Sequence, residues 1–124
     1  MELAALVDLY CEAWSEPDAN RRAELLSAVW AEGATYSDPT VYLTGGADEL
    51  LAHIEKVRGT LPGLRIVRTS AIDQHHDSAR FHWDLISNGN AVVPEGLDLV
   101  LLSPDGTKLQ RVVGFFGPLK ALNS

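Results

Sequence analysis

The stretch Leu97-Asp98-Leu99-Val100-Leu101-Leu102-Ser103-Pro104-Asp105-Gly106 decides how this chain is read. A short apolar run closed by a turn signal reads as a strand. Pro104 presets φ and Gly106 tolerates positive φ, so the chain turns back on itself there. Strands over about 96–103 and 107–116 are therefore expected as a hairpin. If residue 103 pairs with 107, Asp98 stands opposite Val112 and shares a face with Gly114 and Phe116, which makes that face a candidate pocket wall. Asp98 is the one carboxylate between Leu97 and Leu102.

Working back from this hairpin, two more strands are expected at about 79–87 and 64–74. They are joined through His75-His76-Asp77, and Asn88-Gly89-Asn90 is a further turn signal. Along the first of them Arg80, His82 and Asp84 alternate with Phe81, Trp83 and Leu85, and the apolar set is expected to face inward. Adjacent histidines on a turn splay apart and no matching ligand set accompanies them, so no metal is expected.

The first half of the chain has helical periodicity instead. Leu3, Leu6, Val7, Tyr10, Ala13 and Trp14 form one stripe, broken by Pro17-Asp18. A second helix over about 18–30 buries Leu25, Leu26, Val29 and Trp30, exposes Arg21, Arg22 and Glu24, and ends at Gly33. A short strand from Ala34 to Asp38 is stopped by Pro39, and Val41 to Leu43 forms another. After Thr44-Gly45-Gly46 a third helix over about 47–58 turns Ala47, Leu50, Leu51, Ile54 and Val57 inward, with His53 on the flank of that stripe. Helices first and strands afterwards predict an α+β fold: a curved antiparallel sheet with three helices on one face, wrapping into a cone with an internal pocket.

A length of 124 residues suits one domain over 1–124. Ten Lys+Arg against seventeen Asp+Glu, a net charge of −7, leave no cationic patch for nucleic acid or for an anionic membrane surface. No apolar run approaches the roughly 20 residues of a membrane helix. The start Met1-Glu2-Leu3 lacks the features of a signal peptide and the single cysteine, Cys11, has no intrachain partner, so a cytoplasmic protein is expected.

Polar groups set among apolar neighbours are the candidates for chemistry, because burying one without a partner costs about 1–3 kcal/mol. Tyr10, Asp38 and Asp98 stand out. A buried Asp98 should be protonated, paired with a cation such as Arg80 or Arg111, or both. Trp14, Trp30 and Trp83 are expected in the core, with some lining a pocket.

These residues carry a resemblance. Leu9-Tyr10-Cys11-Glu12-Ala13, Tyr36-Ser37-Asp38-Pro39, and Leu97-Asp98-Leu99-Val100 followed by Asp105-Gly106 and Gly114-Phe115-Phe116-Gly117 are similar to the motifs of ketosteroid isomerases. Those enzymes lie within the nuclear transport factor two-like superfamily, which also holds SnoaL-like polyketide cyclases. The resemblance covers nearly the whole chain and implies a single domain with a cystatin-like fold, an apolar pocket and a homodimer. It further implies cofactor-free acid/base catalysis on a small apolar molecule. In the isomerases, a worked case of pKa tuning, a strand-end aspartate takes a proton alpha to a carbonyl while a tyrosine and a protonated aspartate donate to the resulting oxyanion. By resemblance Asp38 is the base, and Tyr10 and Asp98 form the oxyanion hole.

The isomerases support their tyrosine with further tyrosines, and here none lies between 43 and 124. His53 is then a candidate donor, base or orienting partner. His53, Trp14, Trp30, Trp83, Val112, Gly114 and Phe116 are the expected substrate-binding residues. Two other readings stay open. One is dehydration or epoxide hydrolysis on the same fold, the latter using Arg80 and Asp84 with Asp98; the other is a non-catalytic ligand-binding module.

Overall fold

The computed structural model describes residues 1–124. Its elements are α1 (Leu3–Ser15), α2 (Ala19–Val29), β1 (Trp30–Asp38), β2 (Val41–Leu43), α3 (Ala47–Thr60), β3 (Arg65–Arg68), β4 (Asp73–His75), β5 (Ser78–Ser87), β6 (Asn90–Leu102) and β7 (Leu109–Phe115). The apolar stripe expected on α1 is buried at Leu6, Val7, Tyr10, Ala13 and Trp14. Asp18 caps α2 by accepting from the Arg21 backbone N–H at 2.8 Å. On α3, Leu50 and Ile54 are buried, and Asp48 and Glu49 lie in the first turn, where the helix dipole favours negative charge.

Two expectations at α2 need correction. Arg22 is buried, not exposed: it is 4% accessible, pairs with Glu55 of α3, and donates to the Glu16 and Pro17 carbonyls at 3.0 and 3.2 Å. Its guanidinium occupies the α2–α3 junction, where it meets one carboxylate and two carbonyls that would otherwise lack partners. Gly33 does not end the helix. Helix α2 stops at Val29, and Gly33, at φ 74°, lies in a bulge where the pairing of β1 with β7 skips from Trp30 to Thr35.

The sheet order is β2-β1-β7-β6-β5-β3, with β4 also paired to β5. All its pairings are antiparallel except one: β1 and β7 run parallel, with Tyr36 beside Val112 and Ser37 beside Val113. The sheet is therefore mixed. A parallel partner reached through α3 and five strands leaves no turn signature to read. The single strand expected over 64–74 is two, because the Ser70 hydroxyl accepts the His82 N–H at 2.8 Å and replaces a ladder bond between them. The turns Asn88-Gly89, both at positive φ, and His76-Asp77 close two-residue hairpins.

Curvature comes from β6. Its partner register moves from Trp83–Gly96 to Leu85–Val93, and Glu95, at φ 56°, donates its N–H to Asp84 Oδ1 at 3.0 Å. That bulge bends β5 and β6 around the helices. Leu102 pairs with Leu109 and, past a bulge, Leu101 pairs with Arg111, so Asp98 stands opposite Gly114 and Val100 opposite Val112. The pairing is offset by two residues from the expected one: the longer loop shifts it by one and the bulge between Leu101 and Leu102 by another. An even offset leaves Asp98 on the predicted face.

Candidate active site

The concave side of the sheet and the helices enclose a cavity of about 210 Å³. Tyr10 and Trp14 reach it from α1, Tyr36 and Asp38 from β1, His53 from α3, Trp83 from β5, Asp98 from β6, and Phe116 from the end of β7. Val57, Leu61, Ile66, Leu85 and Val93 complete the apolar wall. A larger depression beside the start of α1 opens on solvent, and its one cation, Arg68, is committed to Asp8 and to the Ser70 carbonyl.

Gly114 explains how two carboxylates share so small a space. Strand β7 lies between β1 and β6, and Gly114 stands opposite Asp98. A Cβ added at Gly114 would lie 3.0 Å from Asp98 Oδ1 and 3.6 Å from Asp38 Cβ. The missing side chain leaves room for the Asp98 carboxyl, with the Asp38 Cβ at ordinary contact distance on the other side.

Their surroundings push them apart. Asp98 is 6% exposed, and burial lifts its pKa from 3.8 to about 7; the Trp83 indole N–H, donating to Oδ1 at 2.9 Å, pulls it down, and the Asp38 charge pushes it up. No cation pairs with it. Its strand neighbours Leu97, Leu99 and Leu101 face outward, Leu99 and Leu101 being 41% and 37% exposed. The apolar residues that bury Asp98 are therefore not the ones beside it in sequence.

Asp38 is also raised by burial, but hydrogen bonds outweigh this and its pKa lies below the ordinary aspartate value. The Thr40 hydroxyl and backbone N–H donate to Oδ1 at 2.6 and 2.7 Å, the Tyr36 hydroxyl donates to Oδ2 at 2.6 Å, and His53 Nε2 lies 3.7 Å from Oδ2. One oxygen shapes the Pro39-Thr40 turn while the other faces the aromatic wall. Turn chemistry and a site role thus coexist in one side chain.

Tyr10 is 2% exposed and stacks on Trp30 with centroids 6.0 Å apart. Burial first, then the Asp98 charge, raises its pKa well above 10, so it keeps its proton; the nearby Trp14 side chain acts the other way more weakly. Trp14, Tyr36 and His53 form a ring cluster with centroids 5.8–5.9 Å apart. Trp83 lies over Gly96, where an added Cβ would meet its ring at 2.4 Å, and meets Phe116 edge-on.

Of the residues expected at the site, Tyr10, Trp14, Asp38, His53, Trp83, Asp98 and Phe116 converge on the cavity. Trp30, Val112 and Gly114 do not line it. Trp30 lies behind Tyr10, Val112 is fully buried one pair further along the sheet, and Gly114 has no side chain to present. Sequence reasoning missed Tyr36 and Thr40. Tyr36 was accessible to it, since two residues before Asp38 on a strand is the same face. The Arg80–Asp84 face points away from the cavity, and Arg80 pairs with Asp73 at 2.9 Å. That removes the Asp-Arg-Asp arrangement considered for epoxide hydrolysis.

No protein-family model and no curated protein matches the chain. Solved structures do. A protein of unknown function with cystatin-like fold from Methylobium petroleophilum PM1 matches at 14% identity and TM-score 0.71, over 100% of this chain and 83% of its own. A candidate ketosteroid isomerase from Kribbella flavida DSM 17836 matches at 18% identity and TM-score 0.68, over 94% of this chain and 78% of its own. A candidate isomerase of the SnoaL-like family from Agrobacterium tumefaciens strain C58 matches at 36% identity and TM-score 0.81, over 93% of this chain and 97% of its own. Identity of that order over almost the full length of both chains, on the same cystatin-like α+β frame, shows that the chain belongs to the SnoaL-like family of the NTF2-like superfamily.

Proposed function

We propose that the protein is a cofactor-free acid/base catalyst that moves a proton alpha to a carbonyl in a small apolar compound, as an isomerase or cyclase would. Asp38, ionised at neutral pH, takes the proton. The electron pair of the broken C–H bond moves onto the carbonyl oxygen, and Tyr10 and protonated Asp98 donate to the enolate so formed. The proton then returns from Asp38 to another carbon. The observation that carries this reading is the opposite displacement of the two aspartates across Gly114 in one apolar cavity. One is held as base and the other as acid by surroundings alone.

A β,γ-unsaturated cyclohexenone that conjugates on isomerisation gives an absorbance signal. Asp38→Asn should slow that conversion by about 10²–10⁴-fold, with ligand binding largely kept; an undiminished rate overturns the assignment. A second reading, dehydration with His53 as the proton donor, is favoured by His53 Nε2 at 3.7 Å from Asp38. It requires His53→Gln to cost as much as Asp38→Asn. If both variants left every rate unchanged while ligands still bound, the protein would be a binding module.

We further infer a homodimer in the cytoplasm. Leu99, Leu101 and Phe115 share the convex face and are 37–48% exposed, an apolar back suited to a second copy. Light scattering should give a dimer mass that Leu99→Lys reduces to a monomer.

A further inference from the structure

Resting on the acid/base reading, we propose that the substrate is an electrically neutral compound of one or two rings, entering oxygen-first, and not a four-ring skeleton. Volume comes first. An apolar cavity of about 150 Å³ holds a single benzene ring, and sites for larger organic ligands run to roughly 300–1,000 Å³. At about 210 Å³ this cavity takes one ring with substituents or two fused rings.

The size is built into the walls. Trp83 cannot swing aside: its indole N–H is bonded to Asp98, and it lies flat against the Gly96 backbone. Trp14 is wedged among Tyr36 and His53, and its carbonyl accepts from Arg58 at 2.9 Å. Phe116, 43% exposed and edge-on to Trp83, marks the mouth, beyond which further rings would lie in water.

Polarity sets the orientation. Asp38 and Asp98 flank Gly114 and Tyr10 lines the same cavity, whereas Val57, Leu61, Ile66, Leu85 and Val93 offer only carbon. Charge sets the neutrality. No lysine or arginine lines the cavity, and its one imidazole, His53, already lies 3.7 Å from Asp38 Oδ2, so a phosphate or carboxylate on the ligand would meet the Asp38 charge without a cation of its own.

Titration calorimetry with the full chain at about pH 6 tests this with phenol, naphthalene, 2-naphthol, 6-hydroxy-2-naphthoate and a four-ring phenolic steroid. Burying a second ring should tighten 2-naphthol about tenfold over phenol. The steroid should bind no more tightly than 2-naphthol, and the naphthoate about tenfold more weakly. A steroid bound tenfold tighter than 2-naphthol, a naphthoate bound as well as 2-naphthol, or no binding by any probe overturns the proposal. If instead the size plateau holds but naphthalene binds as tightly as 2-naphthol, the oxygen-recognising site is what fails.

Discussion

Replacing Asp98 by Asn should make the protein more stable at alkaline pH, by an amount that follows from the environment of one carboxyl. The folded state raises the Asp98 pKa from 3.8 to about 7, chiefly by burial. At about 1.36 kcal/mol per unit that is about 4 kcal/mol of destabilisation once the group is ionised in both states. The sign follows from proton counting. Below about pH 4 the carboxyl is protonated folded and unfolded, and costs nothing. Between about pH 4 and 7 the unfolded chain releases a proton that the folded one keeps, so stability falls as pH rises; above about 7 the loss stops growing. Between about pH 5 and 8 the loss amounts to about 2–3 kcal/mol. Asparagine does not titrate, and its carbonyl can still accept the Trp83 N–H that donates to Asp98 Oδ1 at 2.9 Å. Asp38, whose folded pKa is lowered, acts in the opposite sense: its stabilisation is present above its unfolded pKa and is lost as pH falls through the folded value, outside this window. The histidines are common to both proteins and cancel in the difference. Urea unfolding of wild type and Asp98→Asn at several pH values gives that difference directly. It should widen in favour of the variant by about 2–3 kcal/mol from about pH 5 to 8. A difference that stays flat, or narrows, refutes the reasoning.

Other predictions follow from named contacts. Trp83→Phe keeps a ring but removes the N–H bonded to Asp98; a hydrogen bond to a charged group is worth about 1.5–3 kcal/mol, so the Asp98 pKa should rise by about one to two units, read by carbon NMR of its carboxyl. An unchanged pKa would mean that the indole has no part in setting it. Gly96→Ala drives a Cβ to 2.4 Å from the Trp83 ring and should cost roughly 1–3 kcal/mol in urea unfolding. Gly114→Ala meets Asp98 Oδ1 at 3.0 Å, a milder clash, and should weaken 2-naphthol binding more than it lowers stability. Arg22→Met leaves the Glu16 and Pro17 carbonyls without their buried donor, whereas Glu55 at 67% exposure returns to water; the expected loss is about 1–3 kcal/mol, and a neutral result would show that solvent replaces the guanidinium.

Much of the fold was legible because its signals are local. The stripe from Leu6 to Trp14, the stop at Pro39 and the Asn88-Gly89 turn each act within a few residues, where periodicity and φ preferences operate. Asp38 and Tyr10 stand out in the sequence as polar groups beside apolar neighbours, but only likeness to a known family gives them roles distinct from those of turn and core residues. Asp98 was placed correctly on a reason that the structure revises. Its neighbours Leu99 and Leu101 point outward, and what buries it arrives from other elements: Tyr10, Trp83 and the strand that carries Val112 and Gly114. Trp30 and Val112 were expected to line the cavity because aromatic and inward-facing residues are plausible walls, but the sheet pairing carries both past it.

What the sequence by itself determined is the order and type of the elements, the class α+β, and which face of each helix and strand is apolar. Those follow from interactions between residues a few positions apart, which the chain makes whatever its partners. The tertiary structure alone decided that β1 lies parallel to β7, that Asp98 faces Gly114 and not Val112, and that Trp83 donates to Asp98. Each depends on which strands pair and in what register. A longer loop and a bulge together move that pairing by two residues without changing any local preference. The different protonation of the two aspartates belongs to that second group. It is a consequence of desolvation and of hydrogen bonds within the cavity, and neither exists until the sheet has closed around it.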